Sequence, residues 1–132
     1  MTTASQSTRF KQLLWIDCTG AALVGVIVIA LSGWLSQLEG LPQPLLLFTG
    51  AVNLLYAAYS FTLAIRAQRP MHLIKLLVFA NLAWAVACLG LLTAFSATAT
   101  AFAYLHLGGE AAYVGALALL EWRYRAELVG RA

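Results

Sequence analysis

Residues 100–125 read TAFAYLHLGGEAAYVGALALLEWRYR, an apolar run with a carboxylate, Glu110, near its middle. About 20 such residues are enough to cross a bilayer as a helix. An acidic side chain at that depth costs about 3 kcal/mol on insertion scales, so chains that keep one turn it inward, toward a partner or a water-filled cavity. His106, Glu110 and Tyr113 are spaced four and three residues apart and share one helix face. That face is the first candidate for a working surface.

Working outward, the whole chain fits a membrane protein. Its 132 residues are 62% hydrophobic and 10% charged, and mean hydropathy is +0.84. Soluble domains carry about 25% charged residues. The length holds a single four-span membrane domain (1–132) and leaves no room for a second soluble domain. Hydropathy and breaker residues predict an all-α, integral membrane four-helix bundle with spans at about 13–35, 45–65, 72–95 and 99–120. Residues 1–8 are expected as a disordered polar tail and residues 121–132 as a cytoplasmic tail that prolongs the fourth helix. Gly40, Pro42 and Pro44 mark the first loop and Pro70 the second, and Ser96–Thr98 marks a tight turn.

All eight Lys and Arg fall on one side of these spans: Arg9 and Lys11, then Arg66, Arg69 and Lys75, then Arg123, Arg125 and Arg131. The opposite loops carry only Glu39. The positive-inside rule therefore predicts that both termini face the cytoplasm, with Trp15 and Trp122 at one interface and Trp34 at the other. A bacterial inner membrane is the expected location. The basic residues are explained by topology, so the net charge of +3 does not indicate nucleic-acid binding.

A helix rise of 1.5 Å per residue places Asn53, Asn81 and Glu110 at roughly 18, 14 and 17 Å from the basic side. Three polar groups on three helices at one depth predict a layer that is buried and hydrogen-bonded. Tyr56 and Tyr113 can donate into it, and His106 lies one turn above Glu110. Nearer the basic side, Asp17 is expected to pair with Lys75 or Arg123. Cys18 and Cys88 lie at different depths and are expected to stay unbridged. Cys88, His106 and Glu110 share a depth, but no ligand spacing connects them, so no metal and no cofactor is expected.

A shift of 57 residues lays Asn53-x-x-Tyr56 on Glu110-x-x-Tyr113 and Arg66 on Arg123, which suggests a two-hairpin pseudo-repeat. Small residues at Ala21-xxx-Gly25 and Gly108-xxx-Ala112 permit close helix approach, within the bundle or in a homo-oligomer. No phosphate loop, HExxH or hydrolase elbow is present.

Three functions fit these features. The leading expectation is transport or binding of a small molecule or ion at an intramembrane polar site made by Glu110, Asn53, Asn81, Tyr113, Tyr56 and His106, with Asp17 and Lys75 secondary. The second is a structural or accessory membrane protein, acting with a partner membrane protein, whose polar layer only holds the bundle together. The third is a membrane enzyme acting on a lipid or quinone, with Glu110 and His106 as the sole acid–base pair. No catalytic activity is expected ahead of the first two. A cavity against Glu110 favours the first and a filled interior the second.

Overall fold

The computed structural model describes residues 3–129; Met1, Thr2 and residues 130–132, with Arg131, lie outside the described residues. Helix α1 spans Thr3–Ala30, α2 Ser32–Glu39, α3 Gln43–Ala64 and α4 Met71–Ala94. The last long helix opens as α5 (Ala101–Ala103), passes through a π-helical segment at Tyr104–Gly108, and continues as α6 (Gly109–Arg123). A terminal turn, α7, covers Arg125–Val129. Among the described residues there is no strand. Four helical stretches are long and apolar enough to cross a membrane: Lys11–Ala30, Gln43–Ala64, Met71–Ala94 and Ala101–Arg123.

Three boundaries differ from the sequence reading. The polar stretch before Arg9, expected as a frayed tail, is helical from Thr3 onward. The first span ends early: Leu31 leaves helical geometry at φ −106°, and the chain restarts as α2. Residues 36–39, expected in a loop, therefore close a second short helix, which Gly40 terminates at φ +71°. That backbone conformation suits glycine, and the Gly40 N–H caps the carbonyl of Ser36. At the other end the fourth helix does not run on past Arg123. It breaks at Tyr124 (φ −105°), and α7 folds back so that Leu128 is wholly buried against Leu14, Leu63, Ile74 and Leu77.

The helices pack as two antiparallel hairpins, α1 against α3 and α4 against α6. The first is close-packed through glycine. A Cβ on Gly25 would come within 2.9 Å of the Gly50 carbonyl, and one on Gly50 within 2.5 Å of Ile29. Small residues at such crossings let two backbones approach in a medium that offers no hydrophobic drive. Apolar side chains gather in two clusters. One, at the end holding the α3–α4 loop, is built on Leu14, Leu63, Ile74, Leu77 and Leu128. The other, at the opposite end, is built on Val28, Leu41, Leu46, Leu92 and Leu107.

The distribution of polarity is inverted relative to a soluble protein. Leu55, Phe79, Val86, Leu105 and Leu119 are 69–74% exposed, while four of the five acidic side chains, Asp17, Glu39, Glu110 and Glu121, are buried. Apolar surface outside with carboxylates inside is what a hydrocarbon solvent selects. At the basic end, the guanidinium of Arg69 donates from Nε to Leu63 O, from Nη1 to Leu128 O (2.8 Å) and from Nη2 to Ala64 O (3.4 Å). Its backbone N–H donates to Val129 O (2.7 Å). One loop residue thus ties the end of α3 to α7, and burial draws its guanidinium below the ordinary arginine range.

Candidate functional site

The polar interior contains two clusters and a cavity between the hairpins. The first cluster is centred on Glu110, the second residue of α6. Its Oε1 accepts from Asn53 Nδ2 of α3 (2.7 Å) and from Trp84 Nε1 of α4 (2.6 Å). Its Oε2 faces His106 Nε2 at 3.4 Å. The other ring nitrogen of His106, Nδ1, lies 2.9 and 3.1 Å from the two carboxylate oxygens of Glu39, at the end of α2.

The helix is rewound at this point. The π-helical turn Tyr104–Gly108 contains His106 and ends just before Glu110. Such turns insert an extra residue and re-aim side chains, often beside functional sites. Here His106 lies between two carboxylates. A neutral imidazole donates from one ring nitrogen only, whereas the imidazolium donates from both. The charged form alone serves Glu39 and Glu110 together, and it offsets one of their two charges.

The second cluster lies nearer the basic end. Asn81 Nδ2 of α4 donates to Asp17 Oδ2 of α1 (3.2 Å) and to Glu121 Oε1 of α6 (2.8 Å). Tyr56 of α3 donates its hydroxyl to Asp17 Oδ2 (2.6 Å). Asp17, Asn81 and Glu121 are each no more than 1% exposed. Glu121 Oε2 has no donor.

A cavity of about 290 Å³ connects the two clusters. Glu110 and Asn53 line it together with Asp17, Tyr56 and Asn81, and Trp84 and Tyr113 contribute ring surface. Otherwise its walls are apolar, mostly alanine and valine. Apolar walls with a few converging polar groups are the usual make-up of a small-molecule site. Tyr113 and Gly20 also line a groove on the outside of the bundle, between α1 and α6. The Tyr113 hydroxyl donates across that gap to the Ile16 carbonyl (2.8 Å), and a Cβ on Gly20 would overlap the same ring. Tyr113 is thus the partition between cavity and groove.

The single layer expected from helix depths is split in two. Asn53, Glu110 and His106 come together, whereas Asn81 and Tyr56 turn toward Asp17. Tyr113 reaches α1 and not Glu110. Asp17 has no cationic partner among the described residues: Lys75 is exposed, on a groove with His72 and Trp122, and Arg123 is exposed and stacks near Tyr124. Cys18 and Cys88 are both free and buried. Among the described residues no three His, Cys, Asp or Glu side chains converge closely enough to hold a metal ion.

Three participants lay outside the sequence reading. Glu39 reads as a loop residue, but Gly40 turns the chain so that its carboxylate points inward, to His106. Glu121 reads as the first residue of the cytoplasmic tail. The signal was available, since Glu110 and Glu121 are eleven residues apart, three helical turns, and so share a face. Trp84 carries no expectation from the sequence, although it lies three residues after Asn81 on α4.

No protein-family model matches the chain, nor does any curated protein or any solved structure.

Proposed function

We propose that this chain is a small multi-pass membrane protein that binds and transports a small cation in the cavity between its hairpins, with Glu110 as the principal ligand. The observation that carries the reading is the cavity itself, bounded by Glu110 at one wall and Asp17 at the other. Charge accounting points to the sign of the ligand. The buried carboxylates are Asp17, Glu39, Glu110 and Glu121. Among the described residues the cationic groups that face them reduce to the half-buried His106, because Arg69 is occupied by backbone carbonyls at the loop. Uncompensated negative charge in a low-dielectric interior calls for a cation or a proton. Trp84, Tyr56 and Tyr113 add aromatic faces of the kind that attract organic cations. The path of access is the α1–α6 gap, with Tyr113 as its closure.

In this reading both termini lie in the cytoplasm, as the basic residues require. A bacterial inner membrane and assembly of two or more copies around the pathway are parts of the same proposal.

The test is binding of tetraethylammonium, with sodium as comparison, to the purified chain in lipid nanodiscs. Glu110→Gln keeps the shape and most hydrogen bonds but removes the charge. We expect wild type to bind the organic cation and Glu110→Gln to lose binding at least tenfold, with thermal stability near wild type. Absence of binding to wild type, or binding indifferent to Glu110→Gln, would overturn the proposal.

A second reading is supported by one specific observation. Glu110 Oε1 already accepts two donors, Asn53 and Trp84, as expected of a layer that merely fixes helix register in an accessory protein. Under that reading Glu110→Gln is silent in every assay.

A further inference from the structure

The carboxyl pair at the basic end of the cavity calls for an explanation that the cation at Glu110 does not supply. Asp17 and Glu121 come from different helices and converge on one donor, Asn81 Nδ2. Sharing that nitrogen, at 3.2 and 2.8 Å, holds the two carboxyl groups close together, yet two carboxylates offer only acceptors. Glu121 Oε2 is accordingly left without a donor although the residue is wholly buried.

The groups that face the pair are Tyr56 from α3, Asn81 from α4 and Tyr113 from α6, none of them cationic. Cys18, next to Asp17, turns its thiol to the Ala57 carbonyl. Neither carboxyl forms an ion pair among the described residues. A metal ion would need more oxygen ligands than the pair provides, and among the described residues no third acidic, His or Cys side chain joins them. A proton meets the requirement by itself. Placed on Glu121 Oε2, it converts an unmet acceptor into a donor toward Asp17 and removes one of two like charges.

We propose that Asp17 and Glu121 hold one proton between them, and that this proton is what the cavity exchanges for its cation. The inference rests on the cation reading of the cavity. Asp17, Asn81 and Tyr56 line the same space as Glu110, so a cation bound there acts on the pair across the cavity and through no packed core. When the cation enters, the O–H bond of the shared proton breaks to water, and the ligand's charge replaces the charge that leaves. His106 and Glu39, beyond Glu110, stay paired with one another during the exchange.

Infrared spectroscopy of the full chain in nanodiscs reads the proton directly through the carbonyl stretch of a protonated carboxyl group, identified by its shift in D2O. Wild type should show the band. In Glu121→Gln or Asp17→Asn the new amide N–H supplies the hydrogen that the proton supplied, so the band should disappear from both. The second measurement is tetraethylammonium affinity against pH. Exchange of one proton predicts roughly tenfold tighter binding per pH unit in wild type and a flat profile in Glu121→Gln. Absence of the band from wild type, its persistence in both variants, or an unchanged pH profile in Glu121→Gln would each overturn the inference. If wild type binds no cation, the cation reading and the exchange fall together, while the band still decides whether the pair holds a proton.

Discussion

Glu110 and Glu121 sit on one face of α6, three turns and about 17 Å apart by the helix rise, and they are buried in opposite ways. Glu110 has two donors on one oxygen, and the other, though not hydrogen-bonded, faces the His106 imidazole at 3.4 Å. Glu121 has one donor, shared with a second carboxylate, and one oxygen with none. The difference does not come from α6. At the level of Glu110 the facing helices bring Asn53 and Trp84, and the π-helical turn aims His106; at the level of Glu121, α1 brings Asp17. The same residue type becomes an anchored carboxylate in one place and half of a carboxyl pair in the other. What decides is the sign and number of partners delivered by the neighbours.

The largest expected effect separates the two directly. Glu110→Leu strips the acceptor from Asn53, Trp84 and His106 and should destabilise by about 3–5 kcal/mol, the cost of orphaning buried partners. Glu121→Leu removes one member of the carboxyl pair and leaves Asn81 bonded to Asp17, so it should lie within about 1 kcal/mol of wild type. Thermal unfolding in one detergent measures both, and equal losses would break the comparison.

Next in size is the closure of the basic end. Arg69→Ala removes side-chain hydrogen bonds to Leu63, Ala64 and Leu128 carbonyls and should cost about 3 kcal/mol, as for charged donors. Limited proteolysis should then cut between Tyr124 and Val129 faster than in wild type. An unchanged cleavage rate would mean that Leu128 packing holds α7 alone.

His106→Gln tests the anchored carboxylate from the other side. Gln can donate to Glu39 or to Glu110 but cannot bring a charge between them. A loss of about 1–2 kcal/mol is expected, read by thermal unfolding, and Glu39→Gln in the same background should add little further. Independent, additive losses would show that the three groups do not act as a unit.

The smallest stability effect is expected at Tyr113. Tyr113→Phe loses one hydrogen bond to Ile16, worth about 1 kcal/mol or less. Its readout is kinetic: tetraethylammonium should exchange faster if the ring closes the α1–α6 gap, and at an unchanged rate if access lies elsewhere.

Much of the architecture was legible from the residues alone, because hydrocarbon imposes a simple demand. Every backbone polar group must be satisfied within its own helix, so spans read directly as apolar runs of about 20 residues. The four runs in the sequence match the four long helices to within a few residues, apart from the early break at Leu31. The proximity of Asn53, Glu110 and His106 was legible for the same reason, since polar groups at one depth must seek each other.

What only the tertiary structure decided is which partner each polar group takes. Depth along a helix is one coordinate, and rotation about its axis and the tilt between hairpins are two more that apolar sequence leaves open. That is why Asn81 goes to Asp17 and Glu121 while Trp84, one turn further along α4, bonds to Glu110. The fold-back at Tyr124 and the turn at Gly40 also rest on long-range contacts, through Leu128 to Leu14 and Ile74 and through Glu39 to His106. Those contacts overrode local readings of tail and loop. Glu39 and Glu121 looked solvated because each borders a chain break, and both are buried because burial depends on what packs over a residue and not on where its helix ends.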